Sequence, residues 1–230
     1  MLRAVLLALV PACTALDDGA AGKPADCSRD PVCRAVQDAL EIVRNNIGGK
    51  SGTPDNIAKL DILELGPPAL QHLARAMNDP RPEVAAFSAL RIIDLGDRDR
   101  VEAWCASSSH PECPELRAYA DTLVGLDPVG TWTGYRNIIP DEDADMLEQT
   151  ATLRLRRTGK RLGGELCLEP HGCLPLTRAE FAGARVALDY SVPGGRETMT
   201  LFFEDGDLLG RGTVIRCRKC IVGVELARQP

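Results

Sequence analysis

Two hydrophobic periods divide the chain. Between Pro31 and Asn46 the apolar residues Val32, Val36, Ala39, Leu40 and Val43 fall on one helical stripe, with Asp30 placed as an N-cap and Pro31 suited to the first turn. The spacing predicts a helix there. Farther on, LDILELG at 60–66 returns as LRIIDLG at 90–96, a period of 30 residues in which five of seven positions are apolar or glycine in both copies. PEVAAF at 82–87 returns more weakly as PELRAY at 114–119. Each unit reads as a helix, a turn such as NDPRP with Pro at the next helix start, a second helix and a Gly stop.

At Gly130 the period changes from near four to two and stays there to the end. Eight strand-like segments follow: GTWTGY, ATLRLRR, RLGGELCL, CLPLTRA, ARVALDYS, ETMTLFFE, LLGRGTVIR and CIVGVELAR. The turns between them include TGK, EPHG, PGGR, EDGD and RK, short connections that make neighbouring strands antiparallel. An eight-stranded meander can close into a barrel, which removes the unpaired edges of an open sheet. LDPVG, with Pro128, marks the boundary. The predicted fold class is α+β in two domains, an all-α repeat bundle at 27–127 and an antiparallel eight-stranded meander β-barrel at 128–230.

A length of 230 residues suits two modest domains, and 44% apolar with 26% charged residues is a globular balance. The formal net charge of -6 argues against nucleic acid as a partner, because that role calls for clustered excess Lys and Arg. Residues 1–12 place Arg3 before AVLLALV and a small-residue step ahead of Cys13, the order of an export signal, and the apolar run is far shorter than the ~20 residues of a membrane span. Val10 and Ala12 stand at the positions that a bacterial lipoprotein signal uses, and the stretch resembles one. That resemblance implies cleavage before Cys13, diacylation of Cys13 and, with Thr14 rather than Asp following, an outer-membrane address. Residues 13–26 are small and polar, a flexible tether. Nine cysteines is an odd number; setting Cys13 aside leaves four local pairs, Cys27 with Cys33, Cys105 with Cys113, Cys167 with Cys173 and Cys217 with Cys220, suited to disulfides in an oxidising compartment.

The period, helix pairs and Gly-Asp endings over residues 54–127 resemble short bacterial HEAT-like repeats, which implies stacked helices and a curved protein-binding surface. In that arrangement the 31–46 helix caps one end and the Cys105 to Cys113 bridge staples CASSSHPEC. Gly130, Thr131 and Trp132 match the G-x-W of a first strand, and Arg228 in VELARQP lies in the last; the C-terminal hundred residues resemble lipocalin-like or calycin barrels. The resemblance implies that Arg228 stacks on Trp132 and closes one end of the barrel. The segment is short for a lipocalin and lacks a C-terminal helix, and an eight-stranded barrel can be filled by its own side chains.

Chemical constellations are few. CRKC at 217–220 has redox spacing but lies between strands rather than at a helix N-terminus, so a hairpin disulfide is the stronger reading. Cys167, His171, Cys173, Cys217 and Cys220 have tolerable zinc spacing, which oxidation in an exported protein opposes. Asp141, Asp143 and Asp145 alternate like a calcium loop without its Gly and twelfth-position Glu, and read as a solvated loop. His72, His110 and His171 stand apart, Ser109 beside His110 is only a sequence neighbour, and no nucleophile, zincin or P-loop motif occurs. Arg154, Arg156, Arg157, Lys160 and Arg161 form a basic hairpin suited to phosphates or an acidic partner, or to plain solvation.

The expected function is non-enzymatic, with no catalytic residue, metal or cofactor assigned: an envelope lipoprotein, anchored to the outer membrane through Cys13, that binds or scaffolds another envelope protein. The alternatives are a carrier holding a small-molecule ligand in the barrel lumen, and a zinc or thiol-redox protein using the C-terminal cysteines.

Overall fold

The computed structural model describes residues 27–47, 53–140, 145–214, 217 and 220–230. The 1–12 leader, Cys13, the 13–26 tether, Asp141 and Asp143 lie outside the described residues. Six helices come first: α1 (Pro31–Asn46), α2 (Thr53–Leu65), α3 (Leu70–Ala76), α4 (Pro82–Asp94), α5 (Arg98–Ser107) and α6 (Cys113–Thr122). Asp30 caps α1, its carboxylate accepting from the N–H groups of Val32 at 2.9 Å and Cys33 at 3.0 Å. The two repeated segments end α2 and α4, and each is stopped by a glycine in the left-handed region, Gly66 at φ 66° and Gly96 at φ 88°. Leu40, Ile62, Leu63, Leu73 and Ile92 are fully buried where these helices face one another.

Eight strands follow: β1 (Gly130–Ile139), β2 (Leu147–Thr158), β3 (Arg161–Leu168), β4 (Gly172–Ala182), β5 (Arg185–Val192), β6 (Gly195–Glu204), β7 (Asp207–Gly212) and β8 (Ile221–Arg228). They form a closed barrel in sequence order, sealed by an antiparallel β1–β8 ladder from Trp132 opposite Arg228 to Ile139 opposite Ile221. The turn at Asp205 and Gly206 has positive φ at both residues, 51° and 94°, as the right-handed twist of a hairpin requires. Four strands differ from their sequence outlines by three residues or more, and of these β2 begins at Leu147, four residues before ATLRLRR. β1 continues past Tyr135 to Ile139 because Arg136 and Ile138 keep the inward parity; β4 continues to Ala182 across a register shift between Leu176 and Arg178; β7 stops at Gly212, short of the 208–216 segment.

The helices rest on the outer wall of the barrel. Phe202 of β6 and Leu209 of β7 point away from the barrel interior and join the helical core, where Phe202 is 5% exposed, a burial worth about 1.5–3 kcal/mol. Polar contacts frame this seam: Arg211 to Asp61 at 2.7 Å, Lys59 to Glu204 at 3.4 Å, and the Arg185 Nε donating to the Leu63 carbonyl at 2.6 Å. At the β4–β5 turn the Ala184 N–H donates to the Asp94 carbonyl at the end of α4, 3.0 Å away. A Cβ at Gly183 would lie 2.3 Å from that same oxygen, so the close approach requires glycine.

Candidate functional site

The barrel is plugged at the end where the β2–β3, β4–β5 and β6–β7 turns gather. Trp132 is 0% exposed, its indole Nε1 donates to the Pro128 carbonyl at 2.9 Å, and the Arg228 guanidinium lies over the ring at 5.3 Å from its centroid. Arg228 also donates to the Val129 carbonyl at 2.8 Å. Phe203 meets Trp132 edge-on at 5.6 Å, and Phe181 meets Phe203 at 5.9 Å. Between this plug and the opposite end, Leu153, Leu166, Leu188, Leu201, Leu208 and Leu226 fill the interior at 1% exposure or less.

A polar cluster occupies the other end of the interior. Arg136 of β1 and Glu197 of β6 form an ion pair at 2.8 Å, the Tyr190 hydroxyl donates to the same carboxylate oxygen at 3.1 Å, and Arg136 also donates to the Thr213 carbonyl at 3.0 Å. All three side chains are buried, and burial pushes the Tyr190 phenol above its usual range. Among the described residues the Arg136 Nε and the Oε1 of Gln149, its cross-strand neighbour on β2, have no hydrogen-bond partner. A donor and an acceptor are thus left open side by side, the arrangement that a bridging water or a small polar group satisfies. Sequence reading passed over Arg136, Tyr190 and Glu197. Strand parity carried the signal: Arg136 continues the inward row of Trp132 and Gly134, and Glu197 opens the row that Met199 and Leu201 complete.

The eight cysteines among the described residues are joined in four bridges: Cys27 to Cys33, Cys105 to Cys113, Cys167 to Cys173 across β3 and β4, and Cys217 to Cys220 at the β7–β8 connection. The last two stand at the polar end of the barrel. With these sulfurs bonded, the set of Cys167, His171, Cys173, Cys217 and Cys220 has no thiolate to offer zinc, and neither does the grouping of Glu165 with Cys167 and Cys173. The histidines are dispersed. His72 is buried, with Nε2 at 3.2 Å from Asp30, His110 accepts from the Glu112 N–H at 3.3 Å and packs against Trp104, and His171 is exposed in the β3–β4 turn. Asp145 is exposed.

A cleft of about 350 Å³ opens outside the barrel, between α2 and the wall of β1 and β6–β8. Leu60, Phe202 and Leu209 line its apolar side and Asn56, Lys59, Asn137, Glu204 and Glu225 its polar side. The Lys59 ammonium lies 4.2 Å from the Phe202 ring centroid, and the Asn137 Oδ1 has no hydrogen-bond partner among the described residues. Three exposed apolar side chains belong to the same elements as the lining: Ile57 next to Asn56 on α2, Tyr135 opposite Glu225 on β1, and Ile221 two residues before Gly223 on β8. The cleft unites residues from both halves of the chain, a juxtaposition that neither periodicity signals alone.

No protein-family model and no curated protein matches this chain. Among solved structures, the crystal structure of a mutant of the fluorescent protein UnaG is similar over 45% of this chain and 96% of its own, at 12% sequence identity and a TM-score of 0.30.

Proposed function

We propose that the protein is a non-enzymatic, exported envelope lipoprotein whose joined helix and barrel body binds or scaffolds another envelope protein. The observation that supports this reading is the contrast between inside and outside. The barrel interior is occupied by its own side chains, whereas the cleft beside α2 is open, and the elements that wall it, α2, β1 and β8, carry exposed Ile57, Tyr135 and Ile221. A concavity with apolar and polar sides, on elements that also expose apolar side chains, suits a protein partner. Four disulfides suit an oxidising compartment. Among the described residues no helix is long and apolar enough to cross a membrane. In this reading Cys13 carries the lipid, residues 13–26 are the tether, and the 27–127 domain is a short HEAT-like array presenting part of the binding face.

The carrier alternative has one supporting observation, the Arg136 Nε and Gln149 Oε1 that lack a partner among the described residues at the polar end of the barrel. Native mass spectrometry of the protein extracted from its own envelope separates the two readings. The scaffold reading expects a mass beginning at acylated Cys13 with a stoichiometric polypeptide, lost in Ile57→Asp and Tyr135→Asp while a surface substitution remote from the cleft retains it. A retained small molecule without a polypeptide supports the carrier, and a partner indifferent to both cleft substitutions refutes the docking face.

A further inference from the structure

The basic hairpin between β2 and β3 takes no part in the seam, the cleft or the barrel interior. We propose that it is a contact surface for anionic phospholipid headgroups. Thr158 and Arg161 pair across a two-residue turn of Gly159 and Lys160, with Gly159 at φ 59°. Arg156, Lys160 and Arg161 are exposed, and among the described residues none of them enters an ion pair, whereas Arg154 pairs with Glu165 at 2.8 Å and Arg157 with Asp127 at 3.3 Å. Arg228, at the end of β8, reaches the same end of the barrel through its bond to Val129. The hairpin itself therefore carries five cations, of which Arg154 and Arg157 are paired and Arg156, Lys160 and Arg161 are not, while Asp205 and Asp207 stand apart at the β6–β7 turn of the same end, in a chain whose formal net charge is -6. Such a separation of charge orients the molecule toward a negative surface.

A cleft of about 200 Å³ lies within the patch, lined by Arg154 and Arg156 together with Thr131, Glu165, Gly130 and Gly164. Arginine matches phosphate with paired N–H donors, so the cleft suits one headgroup phosphate while Lys160 and Arg161 meet its neighbours. The cations are exposed and spread over two strands and a turn. That geometry fits an array of headgroups better than one enclosed free phosphate. The inference stands without the acyl group on Cys13 and goes beyond the protein-binding reading.

The test uses the full chain and compares co-sedimentation with neutral phosphatidylcholine vesicles and with vesicles in which about a third of the lipid is phosphatidylglycerol, so any contribution common to both cancels. The expected result is a preference for the anionic vesicles that falls about fivefold per cation removed, so about 25-fold for the double variant Arg156→Gln with Arg161→Gln. It should vanish in about 1 M salt, where screening acts within ~3 Å. Equal binding to both vesicles, or undiminished preference in a double variant with a normal melting curve, overturns the proposal. Saturable binding of inorganic phosphate alone with no gain from vesicles overturns it too, by making the cleft a soluble-anion site.

Discussion

Replacing Gly183 with Ala should weaken the join between helices and barrel, and Gly159→Ala supplies a matched control. Both glycines open two-residue turns with nearly equal φ, 60° and 59°. A side chain in that left-handed region costs about 1–2 kcal/mol, a term both variants share. They differ in what the new methyl group meets. At Gly159 nothing among the described residues lies within 4 Å; at Gly183 the Asp94 carbonyl oxygen lies at 2.3 Å and that of Ile93 at 2.5 Å. Carbon and carbonyl oxygen settle at about 3.3 Å, so the β4–β5 turn must withdraw by about 1 Å. The 3.0 Å bond from the Ala184 N–H to the Asp94 carbonyl then breaks at a residue only 1% exposed. An unpaired buried group costs about 1–3 kcal/mol, which puts Gly183→Ala at about 2–5 kcal/mol in all and about 1–3 kcal/mol beyond Gly159→Ala. Urea unfolding followed by circular dichroism measures both, with the midpoint compared at equal slope. Losses equal within about 0.5 kcal/mol would refute the view that this turn is fitted against α4.

Trp132→Ala should cost about 3–5 kcal/mol, since the ring is fully buried, whereas Arg228→Ala, at an exposed position, should cost about 1 kcal/mol; an unchanged melting curve for Trp132→Ala contradicts its role as the barrel plug. Glu197→Leu alone should cost about 3–5 kcal/mol by leaving the Arg136 charge buried, and adding Arg136→Met should recover most of that; simple additivity in the double-mutant cycle would rule out the pairing. The Cys33 N–H holds the Asp30 carboxyl below its ordinary 3.8 against the smaller opposing effect of desolvation, with lesser contributions from the Val32 N–H and from His72. A depressed carboxyl contributes stability that is whole above pH 3.8 and is lost as pH falls through the lower folded value, so Asp30→Asn should flatten the acid limb of the melting temperature against pH, and an unaltered limb would discount the cap.

The α1 stripe, the glycine stops and the eight-strand meander were legible because each is written in local spacing, as Val36, Leu40 and Val43 or the Asp-Gly of the β6–β7 turn illustrate. The continuation of β1 was hidden by Arg136, a charged residue at an inward position, which periodicity scores as a break although Glu197 neutralises it from 61 residues away. Phe202 and Leu209 read as ordinary alternating strand positions. Only the arrival of α2 and α4 makes their outward face a core, and no local pattern encodes that arrival. The cleft at Lys59 and Asn137 was invisible for the same reason, since its two walls are built by segments that the sequence presents as separate domains.

Each of the four bridges joins a cysteine to the next one along the chain, over separations of 6, 8, 6 and 3 residues. Eight cysteines admit 105 pairings, yet this set is the one a chain reaches if every thiol takes the first available neighbour. Oxidation can then proceed in step with entry into the compartment, N-terminal bridge first, and no reshuffling is needed to arrive at the native set. The same locality leaves the larger architecture covalently open. Among these bridges none spans the β1–β8 seam and none ties a helix to a strand, so the barrel can unzip and the two halves can part while every disulfide stays intact.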